Sequence, residues 1–151
     1  PLWRSTLVLA GLKWRGHVEL APNTSPEIDA WLRAAGARPG DPWCAAFASM
    51  AIRAAGIECR EASVHGLAAM FTEVAVPLPA DLCCLLRPDG TGHVDIVTGC
   101  GREHVSVVGG NVGNAVRCGL RLRHGRRFFR VGGNGVPAAL ATLPILGAES
   151  R

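Results

Sequence analysis

"GDPWCAAFASMAIRAAG", residues 40–56, is the stretch on which the fold turns. Apolar side chains recur through it at helical spacing, and both ends carry helix punctuation. Asp41 reads as an N-cap, Pro42 as the first helical residue, where a missing N–H is no loss, and Gly56 as the stop. The spacing predicts an amphipathic helix with Cys44 third from its start. Unpaired backbone N–H groups and the positive end of the helix dipole favour a thiolate there, and the thiolate is the nucleophilic form of cysteine. A cysteine that only fills a core needs no such position.

Outward from this helix the chain divides in two. Upstream, "SPEIDAWLRAAG" (25–36) begins with a Ser25 cap and Pro26 and ends at Gly36, a short helix. Downstream, "EASVHGLAAMF" (61–71) has near-helical apolar spacing, with Gly66 the residue least suited to it. Beyond Pro79 the texture changes. "DLCCLLR", "GHVDIVTG", "HVSVVGG" and "AVRCGLRLR" are short β-rich runs bounded by Gly, Pro and Asp, which predict an antiparallel meander, and "RRFFRV" adds a last strand. Helices followed by antiparallel strands make an α+β domain over residues 1–131. The remaining "GGNGVPAALATLPILGAESR" (132–151) reads as a linker or peripheral tail.

A chain of 151 residues, 48% hydrophobic and 19% charged, has material for a single core. It begins at Pro1 rather than methionine, which reads as an excised domain. "STLVLAGLKW" is too short and too interrupted for a membrane span, so no membrane partner is expected. The net charge of +4 is carried almost wholly by arginine, Lys13 being the only lysine. Much of it lies in "RCGLRLRHGRRFFR" (117–130), where Arg121 and Arg123 alternate with Leu120 and Leu122 and His124-Gly125 supplies a turn. That pattern predicts either the wet face of a hairpin or a dock for an anionic polymer. No helix-turn-helix, zinc-finger or RNA-binding signature accompanies it, so nucleic acid is not the expected partner.

The six cysteines contain no C-x-x-C, and no ligand pair has zinc-finger spacing, so no metal is expected. Adjacent Cys83 and Cys84 would point to opposite faces of a strand as small buried hydrophobes. Cys59, Cys100 and Cys118 leave room for one bridge.

A thiol nucleophile needs a base to take its proton, and the base needs a third group to fix its tautomer and orientation. His93 opens "HVDIV", and Asn111 follows "VSVVGG". Each alone is an ordinary strand-end or turn residue; with Cys44 they supply all three roles in the order Cys, His, Asn. Gly109 and Gly110 would let the backbone turn so that Asn111 reaches the ring. Asn114, Asp95 and His104 are alternative neighbours for the histidine. Asp95 in particular would share a strand face with His93, near enough to perturb its charge.

"PWCAAF", "GHVDIV" and "VVGGNVGNAV", with "SPEI" upstream, make the chain from about Glu19 to Val131 resemble the papain-like cysteine hydrolases of the CHAP and NlpC superfamily. The resemblance is to a bacterial and phage branch with the pattern P-W-C-x-x-F, G-H-V-G and G-G-N-Q. It implies a papain-like α+β fold, N-terminal helices with the nucleophile helix packed on an antiparallel sheet. It also implies cysteine-dependent cleavage of amide bonds in peptidoglycan, without cofactor or metal. Cys44 falls on the nucleophile, His93 on the base and Asn111 on the orienting residue. Glu19, Trp43, Asp95 and Asn114 are the candidate substrate contacts. Three departures stand out: Asp95 for a glycine, Val112 for the glutamine after Asn111, and Ala80 for a glycine before the first strand. The implied setting is the bacterial envelope, as a monomeric lysin, wall remodeller or antibacterial toxin, the last with an immunity protein as partner. An acyltransferase or protein deamidase, and a non-enzymatic wall-binding module, are the alternatives.

Overall fold

In the computed structural model, which describes residues 1–132, four helices precede six strands. The helices are α1 (Leu2–Leu12), α2 (Pro26–Ala34), α3 (Cys44–Ala54) and α4 (Val64–Met70). The strands are β1 (Thr72–Val74), β2 (Leu82–Leu86), β3 (Gly92–Cys100), β4 (His104–Val112), β5 (Ala115–Leu122) and β6 (Arg127–Arg130). The tail expected over 132–151 lies, apart from Gly132, outside the described residues.

Local signals set most of these boundaries. Ser25 caps α2, its Oγ accepting the Ile28 N–H at 3.1 Å, with Pro26 in the first turn. The third expected helix starts three residues late, at Val64. The reason is the Glu61 carboxylate, which accepts the N–H groups of Ala62 and Ser63 at 3.0 and 2.9 Å and holds that turn out of the helix. Ser63 Oγ then caps α4 by accepting the Gly66 N–H at 2.8 Å. Gly66 is there for space, because a Cβ at that position would fall on the Glu61 carboxylate. Helix α1 carries none of the punctuation that marks α2. It is held by tertiary packing of one face, where Trp3, Leu7 and Gly11 recur every four residues and are buried.

The sheet is antiparallel throughout, in the order β1-β6-β2-β3-β4-β5. Strands β2 to β5 form the expected meander. Strand β6 does not continue it, because it inserts between β1 and β2 while β5 occupies the opposite edge. Residues 117–130 are therefore not a hairpin. His124 and Gly125 do make a turn, with Gly125 at φ +78°, but it hands the chain on rather than pairing its two sides.

Strand alternation gives the sheet two apolar faces. Cys84, Val94, Ile96 and Val108 pack with the helices, whereas Cys83, Val97, Val105, Val107 and Phe128 form a second cluster on the other face. Cys83 and Cys84 thus sit buried on opposite faces, as the sequence predicts, and all six thiols are free. At the centre, α3 buries residues Cys44 to Ser49 without a break, its alanines letting neighbours approach closely. Gly110 belongs to the same fit, since a Cβ there would collide with Phe47 and Trp43. No helix among the described residues is long and apolar enough to cross a membrane.

One buried carboxylate ties α1 and β6 to the start of β2. Asp81, just before β2, is fully buried and pairs with Arg4 of α1 at 3.2 Å and Arg130 of β6 at 3.0 Å. It also accepts the Leu78 N–H at 2.8 Å. The preceding Ala80 has φ +75°, a left-handed conformation that glycine adopts more readily, so the departure at this position sets an alanine where the backbone favours glycine. Removing a buried carboxylate strands its partners' charges. Asp81→Ala is expected to lower the free energy of unfolding by roughly 2–3 kcal/mol, the range for lost hydrogen bonds to charged groups. Urea titration followed by circular dichroism would measure it.

Candidate active site

Helix α3, which carries Cys44, begins later than its sequence punctuation. Asp41 is not the cap: its Oδ2 accepts the Arg38 N–H at 2.9 Å, closing a turn over 38–41. Trp43 occupies the cap position without a side-chain cap, and Cys44 is the first helical residue rather than the third. The first helical backbone bond runs from the Phe47 N–H to the Trp43 carbonyl at 2.9 Å. The N–H groups of Cys44, Ala45 and Ala46 therefore have no acceptor within the helix. They form a ready set of donors around the thiol.

Trp43 is fully buried. Its ring lies 6.0 Å from that of Trp31, which also packs edge-on against Phe47, and its Nε1 donates to Glu19 Oε2 at 3.1 Å. A sealed indole cannot meet a substrate. The expectation that Trp43 contacts substrate is corrected: it anchors the residue before Cys44, and the half-exposed Glu19 holds its indole.

His93 and Asp95 stand two apart on β3 and so share a face. His93 Nε2 bonds Asp95 Oδ1 at 2.7 Å, and Asp95 Oδ2 accepts from Arg121 Nε of β5 at 2.8 Å. With Nε2 occupied, Nδ1 is the ring nitrogen left to exchange a proton with Cys44. Burial alone pulls the imidazole downward, but the Asp95 hydrogen bond, the interaction with Cys44 and their charges outweigh it and raise His93 to about 9. Burial pushes Asp95 upward, yet its bonds to His93 and Arg121 win and hold it below the usual carboxylate range. Three buried thiols away from the imidazole are pushed upward. Burial raises Cys59 and Cys84 and takes Cys83 up to about 12.

Asn111 is placed differently from the sequence expectation. It lies at an irregularity of β4 with φ +57°, and its Nδ2 donates to Asn23 Oδ1 at 3.4 Å. It shares a cavity wall with His93, but the hydrogen bond expected of it is made by Asp95. Asn114 is further away in function. With Gly113 it forms the β4–β5 turn, both residues at positive φ, and its carbonyl accepts the Glu19 N–H at 3.1 Å. The paired glycines also act otherwise than expected. Gly109 does not turn the chain toward the ring; it clears space, because a Cβ there would overlap the Asp95 carboxylate.

Arg121 is the residue the sequence reading left unplaced. The alternation along β5 runs opposite to the wet-arginine expectation, with Leu120 and Leu122 exposed at 68% and 57% while Arg121 turns inward. The rest of the run is largely committed as well. Arg123 donates to the carbonyls of Gly101, Arg102 and Ala75, and Arg127 pairs with Glu73 at 2.8 Å.

Two cavities flank the pair. One of about 460 Å³ is lined by Cys44, Asp41, Pro42, Glu61, Val64 and Thr91; the other, of about 270 Å³, has His93 in its wall. A third, of about 500 Å³, lies between α1 and Leu78-Pro79 and touches none of these groups.

Helices seated on an antiparallel sheet, with a thiol at a helix start and a histidine on a strand, define a papain-like α+β frame. More particularly, the frame is similar to that of a solved NlpC/p60 domain. It matches the structure of RipD from Mycobacterium tuberculosis with a TM-score of 0.59 and 18% identity, over 85% of this chain and 97% of that one. RipD is described as a non-catalytic NlpC/p60 domain protein adapted to peptidoglycan binding. At that identity the likeness is one of fold. No protein-family model and no curated protein matches the chain.

The geometry sets an order of thiol reactivity. Iodoacetamide at pH 6 should label Cys44 before the more exposed Cys100 and Cys118, because only Cys44 has an imidazole beside it. Gly109→Val should erase that preference by displacing Asp95, and Asn111→Ala should keep it. Peptide mapping by mass spectrometry gives the order, and first labelling at Cys118 would contradict the pairing.

Proposed function

We propose that the protein is a cysteine-dependent hydrolase of amide bonds in bacterial peptidoglycan. The observation that carries this reading is the hydrogen-bonded series from Arg121 through Asp95 to His93, ending beside Cys44 at the start of a buried helix. His93 takes the Cys44 proton on Nδ1, and the thiolate attacks the amide carbonyl carbon. The unpaired N–H groups of the first helical turn stabilise the oxyanion. His93 then gives its proton to the departing nitrogen as the C–N bond breaks. Water, deprotonated by the same imidazole, attacks the thioester, releasing the acid and restoring the thiol. Asp95 keeps the ring oriented and its charge compensated throughout.

Peptidoglycan is favoured as substrate by the sequence resemblance and by the shared fold of a protein described as binding it. Action in the cell envelope goes with that reading, since that is where the polymer lies. The non-catalytic description of RipD favours a second reading, a wall-binding module. A purely binding role, however, has no use for a buried carboxylate aligning an imidazole on a thiol. Acyl transfer or deamidation would use the same groups with a different acceptor, and a toxin would call for an immunity protein.

Purified sacculi incubated with the protein should release fragments with new amine and carboxyl ends, read by mass spectrometry. Cys44→Ala should lower release roughly a thousand-fold or more with the fold retained. Sacculi bound but left intact by the parent protein would support the binding module instead.

The reaction needs the imidazolium to protonate the leaving nitrogen. Activity should therefore fall as pH rises through about 9, where His93 loses its proton. In Asp95→Asn that alkaline limb should move to lower pH, since Asp95 is what raises the histidine. A rate profile of released amine against pH would check both.

A further inference from the structure

The cavity beside His93 has a chemistry of its own. Its wall carries three guanidinium groups, Arg87, Arg121 and Arg126, with the Asn111 amide close by. Arg121 is neutralised by Asp95 at 2.8 Å. Arg87 and Arg126 enter none of the ion pairs among the described residues, and their side chains have no hydrogen-bond partner there. Arg126 differs in this from Arg121, Arg123 and Arg127 of the same arginine-rich region, which are all engaged, and Arg87 joins it from the end of β2. Two arginines outside any ion pair, Arg87 having only Asp89 nearby to offset its charge, thus line one small cavity at the edge of the reacting groups.

The position assigns the cavity to one side of the scissile bond. His93 delivers its proton to the departing nitrogen, so the amine-bearing fragment must lie at the imidazole. The cavity that His93 lines is where that fragment extends, and the cavity lined by Cys44 takes the acyl side. At about 270 Å³ it falls just under the usual range of small-molecule sites, roughly 300–1,000 Å³, which suits an amino-acid residue and not a length of glycan. Guanidinium forks recognise planar carboxylates through paired N–H donors.

Resting on the hydrolase reading, we propose that Arg87 and Arg126 form a carboxylate subsite for the leaving-group side, so that the preferred substrate keeps a free carboxylate on the amine-bearing fragment. The arginine-rich region then acts as a local selector at the site and not as a dock for a polymer.

The test uses soluble muropeptides in two forms, native and with their carboxylates converted to primary amides. The parent protein should cleave the native form with a kcat/KM ten-fold or more above the amidated form. The double variant Arg87→Gln/Arg126→Gln should cleave native muropeptides at the parent's rate for amidated ones, and the amidated form within two-fold of the parent. Equal parent rates on both forms, or discrimination that survives in the double variant, would overturn the subsite while leaving the hydrolase reading in place. If neither form is cleaved, the hydrolase reading fails, and calorimetric binding to Cys44→Ala decides the subsite by itself. A ten-fold preference for the native form that disappears with both arginines upholds it, and equal binding rejects it. Unchanged circular dichroism spectra establish that the glutamine variants fold.

Discussion

The site is organised around a carboxylate that water does not reach. Asp95 has no exposed surface, and an ionised group in such a place is tolerated only when paired and hydrogen-bonded. Both oxygens are taken, one by His93 from two residues earlier on the same strand and the other by Arg121 from β5. This constraint reaches well beyond the histidine. It draws Arg121 inward, sends Leu120 and Leu122 into solvent, and requires a glycine at position 109. The β3 and β4 strands must stay in register around it, because a one-residue slip would turn Asp95 toward the helices.

Part of this was legible in the sequence. The α+β order, the Ser25-Pro26 helix start and the opposite faces of Cys83 and Cys84 follow from local punctuation and strand alternation, and the structure has them all. Alternation also put Asp95 and His93 on one face, which was the signal that Asp95 rather than Asn111 could hold the ring. The family-like "GGN" outweighed it, although the glycines there serve close packing and not a turn. Along β5 the period of two holds, with Leu120 and Leu122 outside and Arg121 inside. A period says that two faces exist; which one is inside depends on the partner opposite, and a buried aspartate calls an arginine in. The insertion of β6 between β1 and β2 is a long-range pairing that no local pattern announces.

The start of α3 shows how small offsets matter for chemistry. Capping residues predicted a helix from Pro42, but the 38–41 turn uses Asp41, and Trp43 is fixed by Glu19 and Trp31. Cys44 becomes the first helical residue instead of the third, so its own N–H and the next two have no acceptor within the helix. The fold is shared with a protein described as non-catalytic, so the frame does not by itself imply turnover. In this chain the frame carries an Asp95 bonded to both His93 and Arg121.

The most direct measurement of that connection is an NMR titration of the His93 ring nitrogens in the intact protein. The ring should remain protonated past pH 8, with Nε2 held by Asp95, and its titration should fall toward the ordinary histidine value of about 6.5 in Asp95→Asn while staying high in Asn111→Ala. A ring that titrates near 6.5 in the parent protein, or that responds to Asn111→Ala and ignores Asp95→Asn, would contradict the role given to Asp95.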